Sequence, residues 1–127
     1  HKNNILHIHP GYLPNIRGAD ASLWSILKLN CFSSSAFYIN KKIDEGKILY
    51  REKFPYKKFK LDTTHNSNDL HKIWFSFIDP AIRSSNLINL IDKKKLSLDP
   101  EIDNVEGAYY SFMDNEKKIN ILKELLL

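Results

Sequence analysis

Two histidines stand two positions apart at the end of an apolar run, and they are the first candidates for chemistry in this chain. His7 and His9 close the run, and Pro10 and Gly11 follow at once. In an extended strand alternate side chains share a face, so the two imidazoles would point the same way. An imidazole can ligate a metal, transfer a proton near neutral pH, or form an ordinary hydrogen bond at a strand end. The pair alone leaves these three roles open.

A metal site needs more ligands than the two histidines supply. Zinc accepts two imidazoles from one face of a strand, but two ligands do not make a site. The other candidate ligands are Asp44, His65 and His71, and none of them stands at a diagnostic spacing from the pair. We therefore predict no metal site from the sequence.

A short acidic segment, Asp44-Glu45-Gly46, lies between two apolar runs. Taken alone it is typical of an ordinary hairpin turn, since Asp and Gly are common turn residues. If the two runs fold back as a hairpin, Asp44 comes close to the end of the first strand. On the residues alone, the segment predicts no more than such a turn.

Two ordered segments of the chain resemble the signature of the folate-dependent formyltransferases. Residues 9–18 contain the His-Pro pair, the Leu-Pro pair and the Arg-Gly turn of that family, and residues 43–49 contain its Asp-x-Gly element between apolar residues. The interval between His9 and Asp44 is close to the interval between the family's catalytic residues. Ser35 stands where the family commonly has Thr, and Trp24 fits a Trp expected after the Arg-Gly turn.

The resemblance implies an α/β fold, namely the C-terminal part of a Rossmann-like formyltransferase domain with a mixed sheet and flanking helices. Residues 1–127 are then a single domain that is truncated at its N-terminus, because the first Rossmann half is absent. Such a piece would expose sheet edges, which favour pairing with another chain. We therefore expect either a homo-oligomer or a separate N-terminal half as partner.

The resemblance also implies an activity, the transfer of a formyl group from 10-formyltetrahydrofolate to an amine. His9 would be the acid/base group, and Asp44 would orient it and raise its pKa. His7 stands where the family has Asn, and an imidazole N–H can also donate to the oxyanion. The remaining expected substrate-binding residues are Pro10, Gly11, Arg17, Gly18 and Tyr109.

The acceptor is suggested by a segment near the end of the chain. Residues 106–110 resemble a segment of some sugar formyltransferases, so an amino sugar on a nucleotide carrier is the expected acceptor. The alternatives are a catalytically degenerate binding module and a 10-formyltetrahydrofolate hydrolase. Transfer to initiator tRNA is disfavoured, because the chain has no room for a further barrel domain and no marked basic stripe.

The composition and charge of the chain argue against several other classes of protein and partner. The 127 residues are 43% hydrophobic, which argues against disorder, and they fit one domain. A net charge of +4 is compatible with an anionic small molecule and makes nucleic acid unlikely as a partner. Cys31 is the only cysteine, so no intrachain disulfide can form. With no signal peptide and no run long enough to cross a membrane, we expect a cytoplasmic protein.

Hydrophobic periodicity predicts the elements that must position these residues. We expect strands over residues 4–8, 33–40, 47–54 and 107–113, with the second and third forming a hairpin. Four helices are expected. One begins at Asp20, one is capped by residue 66, 67 or 68, one ends near Asp92, and one begins at Asp114. One helix should carry an inward stripe of Leu70, Ile73, Trp74, Phe77 and Ile78, and end or kink at Pro80. The next should turn Leu87, Ile88 and Ile91 inward.

Overall fold

The computed structural model describes residues 4–62, 65–94, 96 and 102–127. The described elements, in chain order, are β1 (Leu6–His9), β2 (Ile16–Gly18), α1 (Ala21–Leu29), β3 (Cys31–Tyr38), β4 (Ile48–Pro55), α2 (Ser67–Ile73), a π turn (Trp74–Ile78), α3 (Asp79–Asp92), β5 (Ala108–Tyr110) and α4 (Asn115–Leu126). The predicted mixture of strands and flanking helices is confirmed. The sequence also predicts a solvated run of lysines at residues 93–95 and a loop at Pro100, and of these Lys95 and Pro100 lie outside the described residues.

Two small sheets carry the fold. The first has the order β1-β3-β4 and is antiparallel throughout, so the predicted hairpin of β3 and β4 is confirmed. The second pairs β2 with β5 in parallel. β1 is an edge strand, and no described strand pairs with its far side. The strand that bears both histidines therefore has one free edge within the part of the chain described here.

The main core lies between α1, α2, α4 and one end of β3. Its fully buried members include Leu23, Trp74, Leu122 and Leu125. The Trp74 indole Nε1 donates to the Ser22 hydroxyl at 3.1 Å, so its polar group is satisfied inside the core. A smaller apolar cluster joins β3 and β4 to α3. No helix among the described residues is both long enough and apolar enough to cross a membrane.

The predicted helical stripe is interrupted before Pro80 rather than at it. The Asp79 N–H donates to the Trp74 carbonyl, five residues earlier, so the chain makes a π turn there. A π turn inserts one residue into the helical register, and side chains beyond it rotate around the axis. Leu70 and Trp74 are buried as predicted, but Phe77 is 70% exposed. Pro80 then sits in the first turn of α3, where its missing N–H is tolerated.

The inward face predicted for α3 is only partly right, because Leu87 packs against the smaller apolar cluster but the other two predicted residues do not. Ile88 and Ile91 are exposed, whereas Asn86 and Leu90 are fully buried. Asn86 donates from Nδ2 to the Ser34 carbonyl at 3.2 Å, so the buried amide binds the central strand. A periodicity taken from the apolar residues alone cannot find a face that includes a buried Asn.

Two of the three capping residues predicted for helix N-termini do cap their helices. Asn66 forms a capping box with Asp69, and Asp114 accepts hydrogen bonds from two backbone N–H groups of α4. Asp20 precedes α1 but makes no cap, because it lies in the left-handed region at φ 50°. Its carboxylate instead accepts from the Met113 N–H at 2.9 Å and pairs with Lys118. The last predicted strand is shorter than expected, since β5 ends at Tyr110.

Candidate functional site

Hydroxyl groups on the central strand fix the end of β1 and the loop that follows it. In the β1–β3 register His9 pairs with Ser35. The Ser34 hydroxyl donates to the His9 carbonyl at 3.1 Å. The Ser35 hydroxyl donates to the Gly11 carbonyl at 2.7 Å and accepts from the Leu13 N–H at 2.9 Å. The first part of the loop after His9, up to Leu13, is therefore hydrogen-bonded directly to β3.

The His9 ring is buried and has a defined partner on each nitrogen. Its Nε2 lies 2.9 Å from the Ile16 carbonyl oxygen, which can only accept, so this nitrogen carries a proton. Its Nδ1 lies 3.6 Å from Oδ1 of Asp44. That separation is too long for a hydrogen bond. In the neutral ring, the Nδ1 lone pair therefore faces a carboxylate across a gap.

Asp44 owes its position to the turn between β3 and β4. Its backbone lies in the left-handed region at φ 55°, which Asp tolerates better than most residues. Its Oδ2 accepts from the Gly18 N–H at 2.8 Å, which leaves Oδ1 for His9. The predicted approach of Asp44 to the end of the first strand is what the structure shows.

Asn104 is a residue of this site that sequence reasoning missed. Its Nδ2 donates to the carbonyls of Asp44 and Gly46 at 2.7 and 2.9 Å. Arg17 donates from one terminal nitrogen to both the carbonyl and Oδ1 of Asn104, and from Nε to the Asp44 carbonyl. Asn104 is 6% exposed and lies in a polar stretch with no periodicity, so no local signal distinguishes it.

The structure places the expected substrate-binding residues within this framework. Arg17 is only 2% exposed, and three of its hydrogen bonds go to the turn network. Tyr109 is half-exposed, and its hydroxyl donates to the Glu45 carboxylate and lies 3.0 Å from the Ile43 carbonyl. Its ring centroid lies 5.3 Å from the Arg17 guanidinium. Both residues touch the turn that carries Asp44.

The two glycines of the loop are required by close approaches. A Cβ on Gly11 would lie 2.7 Å from both His9 Nε2 and the Ile16 carbonyl. Gly18 has φ +93°, and a Cβ there would lie 2.3 Å from the Tyr110 carbonyl. Pro10, which follows His9 directly in the chain, is half-buried. These residues shape the histidine's surroundings through the backbone.

His7 lies beside the His9–Asp44 pair on the open side. Its ring is half-buried, meets Phe37 edge-on at 5.4 Å between centroids, and lies 6.3 Å from the His9 ring. His7, Phe37 and Asp44 line a cavity of about 250 Å³ together with residues 39–43. One ligand atom from each of His7, His9 and Asp44 lies within 4.8 Å of the other two. Of these three residues, His7 and Asp44 line the cavity, and His9 lies buried behind them.

Burial lowers the pKa of His9 below its ordinary value of 6.5 and outweighs the rise that Asp44 causes, which is the rise expected from the sequence. Burial is the main cause, because it penalises the charged ring. Asp44 and the Ile16 carbonyl raise the pKa by less, and His7 and Arg83 lower it further. His9 is consequently neutral near pH 7. A neutral ring with a lone pair beside a carboxylate is suited to accept a proton.

Comparisons with known proteins agree with this fold. No family model matches the chain, and no curated protein matches it significantly. Among solved structures, the formyltransferase PseJ from Anoxybacillus kamchatkensis, in complex with UDP-4,6-dideoxy-4-formamido-L-AltNAc and tetrahydrofolate, superposes with a TM-score of 0.59 at 21% identity. HypX from Aquifex aeolicus, in complex with tetrahydrofolic acid, gives 0.58 at 19% identity. A sugar N-formyltransferase from a Shewanella species gives 0.58 at 17% identity.

The chain corresponds to only part of each of these proteins. The match covers 95% of this chain and 64% of PseJ, 92% and 19% for HypX, and 96% and 52% for the Shewanella enzyme. The described fold is therefore the fold of a portion of the formyltransferases. This confirms the fold predicted from the His-Pro and Asp-x-Gly segments.

Proposed function

We propose that this chain carries the catalytic group of a formyltransferase, which moves a formyl group from 10-formyltetrahydrofolate to an amine. The observation that carries the proposal is the approach of buried His9 to Asp44, with Nδ1 and Oδ1 3.6 Å apart and Asp44 lining a cavity. The shared fold with formyltransferases supports it, and so do the two sequence segments that surround the pair. We place all of residues 1–127 in one such domain.

The pair supplies the proton transfers that the reaction requires. The acceptor nitrogen attacks the formyl carbon and becomes positively charged, while the formyl oxygen becomes an oxyanion. Nδ1 of His9 takes a proton from the attacking nitrogen, and the Asp44 carboxylate stabilises the imidazolium that results. The same proton then goes to the folate nitrogen as the carbon–nitrogen bond to the donor breaks. The ring returns to its neutral state, so the cycle balances.

His7 is positioned to stabilise the oxyanion. It lies on the same face of β1 as His9 and lines the cavity. A neutral imidazole has one N–H to donate, and removal of an oxyanion donor typically costs about 10²–10³ in kcat. We assign to His7 the role that Asn has in the sequence pattern of the formyltransferases.

The walls of the cavity fit the reacting end of the formyl donor. Ile39 and Ile43 offer exposed apolar surface to a flat ring, and the N–H donor His7 lines the same cavity. Lys41 and Lys42 are exposed at the rim and suit a carboxylate or phosphate. We propose an amino sugar on a nucleotide carrier as the acceptor, since two of the structural neighbours are sugar formyltransferases and the half-exposed Tyr109 lies nearby.

The free edge of β1 is where we expect further structure to add. Its unpaired backbone groups favour a strand from a second copy or from an N-terminal half of the domain. Activity should therefore be tested on the chain alone and on the longest protein that contains it.

The decisive experiment follows the release of tetrahydrofolate and the mass of the acceptor. The protein is mixed with 10-formyltetrahydrofolate and amino-sugar nucleotides in a buffer that contains a metal chelator. We expect a gain of one formyl group on the sugar, and loss of that gain in His9→Asn and Asp44→Asn. His71→Asn, on the exposed face of α2, is the matched control and should retain the wild-type rate. Folate release without formylated sugar would indicate hydrolysis instead, and binding without turnover would indicate a binding module.

A further inference from the structure

We propose that His7, His9 and Asp44 form a binding site for a zinc ion, with three protein ligands and one open position towards the cavity. Zinc prefers imidazole nitrogen and carboxylate oxygen in a tetrahedral arrangement, and sites that keep a fourth position open have three protein ligands. Within the described residues these three side chains bring one ligand atom each to within 4.8 Å of the others. The sequence did not predict the site, because Asp44 stands at no diagnostic spacing from the two histidines.

The distance between Nδ1 and Oδ1 is the first support. Zinc–ligand bonds of about 2.0–2.1 Å place two tetrahedral ligands about 3.3–3.4 Å apart. The His9–Asp44 separation of 3.6 Å exceeds a hydrogen bond but needs only a few tenths of an ångström to meet this value. Two groups that can both donate electron pairs face each other across a gap that fits a cation.

The hydrogen bonds behind the ligands are the second support. Imidazoles that bind metals usually donate their other N–H to a carbonyl or carboxylate, which fixes the ring and its tautomer. His9 does this through Nε2 and the Ile16 carbonyl at 2.9 Å. Asp44 accepts from the Gly18 N–H through Oδ2, which leaves Oδ1 as the ligand atom. Both ligands are therefore oriented before any ion binds.

His7 is the residue that makes the site complete. The buried pair alone offers two ligands, which hold zinc weakly. His7 adds a third from the half-buried side, next to a cavity of about 250 Å³ in which a water or an anion could take the fourth position. An amide at position 7 could not serve as well, since zinc in proteins is bound mainly by nitrogen, sulfur and carboxylate oxygen.

Zinc at this site would occupy the Nδ1 lone pair that the proposed formyl transfer uses. The inference goes beyond that function and does not depend on it, because ion binding needs neither folate nor amine. A bound ion would keep His9 from accepting a proton, so zinc would inhibit transfer. Zinc binding and formyl transfer are measured separately, and either can fail alone.

The test is an equilibrium titration of the metal-free full chain with zinc alone, in competition with a chromophoric chelator. We expect one equivalent of zinc to bind to the wild type. Loss of an outer partner of a zinc ligand costs about 10–100-fold in affinity, so His7→Asn, which removes a ligand, should weaken binding more than tenfold. His71→Asn is the matched control and should leave the affinity unchanged. Circular dichroism reports whether each variant is folded.

A second measurement holds even if His7→Asn fails to fold. The imidazole NMR signals of the wild type should show His7 and His9 shifting with one equivalent of zinc, while His65 and His71 stay unchanged. The proposal is overturned if the wild type binds no zinc, if folded His7→Asn binds zinc as tightly as the wild type, or if the signals that move are those of His65 and His71.

Discussion

Arg17 and Asn104 hold each other through a paired contact, in which one guanidinium nitrogen donates to both the carbonyl and the side-chain oxygen of Asn104, at 2.8 and 2.7 Å. The Asn104 amide in turn donates to the carbonyls of Asp44 and Gly46. The carboxylate of the site therefore depends on a residue far along the chain that never touches the histidines. Its contribution can be measured.

Asn104→Ala should destabilise the protein and reduce the proposed activity. Hydrogen bonds to a charged group contribute about 1.5–3 kcal/mol, and the variant also leaves buried Arg17 nitrogens with fewer acceptors. We expect a loss of about 2–4 kcal/mol in the free energy of unfolding, measured by urea denaturation. Asn104→Asp keeps an oxygen for Arg17 but loses the two amide donors, so it should be intermediate. Equal stability of the Ala variant and the wild type would contradict this account of the turn.

Gly18→Ala should separate the two strands of the second sheet. A side chain at φ +93° is strained, which costs about 1–3 kcal/mol, and the added Cβ would lie 2.3 Å from the Tyr110 carbonyl. The Gly18 N–H also holds Asp44, so formyl transfer should fall together with stability. Thermal unfolding and the transfer assay check this. Val105→Ala, an exposed position, serves as the control and should change neither.

His7→Asn and His7→Ala should behave differently in the transfer assay. In chelated buffer the Asn variant keeps an N–H donor, so we expect its kcat to stay within about tenfold of the wild type, whereas the Ala variant should lose about 10²–10³. If zinc binds as proposed, added zinc should inhibit the wild type and spare His7→Asn. Equal kcat values for wild type and His7→Ala would remove His7 from the oxyanion site.

Asp79 should make the stability of the fold depend on pH. Burial raises its pKa above the ordinary value of 3.8, and the contact with Arg83 offsets only part of this. The folded state then holds the proton more tightly than the unfolded state, so stability falls as pH rises from about 3.8 through the raised pKa and is level above it.

Asp79→Asn removes this titration. Its free energy of unfolding, relative to the wild type, should therefore increase between pH 4 and neutrality, as measured by urea denaturation at several pH values. Asp92→Asn, at the exposed end of the same helix, should show no such trend. A difference that stays constant across the range would mean that Asp79 is not stabilised in its neutral form.

The parts of the fold that the sequence predicts are those with a local cause. His9 and Asp44 stand in short segments of strong turn chemistry, and the hairpin between β3 and β4 fixes their approach. Asn66 and Asp114 cap helices through contacts within three residues. Asn104 could not be predicted, because its contacts join residues up to 87 positions apart. The π turn could not be predicted either. The same spacing of apolar residues is compatible with a regular α-helix and with a helix whose register shifts by one residue.

The three consecutive serines of β3 also help to fix the register in which this strand pairs with β1. Ser33, Ser34 and Ser35 are all buried, and their hydroxyls bind respectively Ser25 of α1, the end of β1 and the loop after it. A slip of β3 by one residue would exchange its two faces and break all three contacts together. The serines therefore favour one register of the pairing between β1 and β3 over the registers shifted by one residue. With alanine at all three positions the strand would keep nearly the same volume but would lose the three contacts that favour this register of His9 along the sheet.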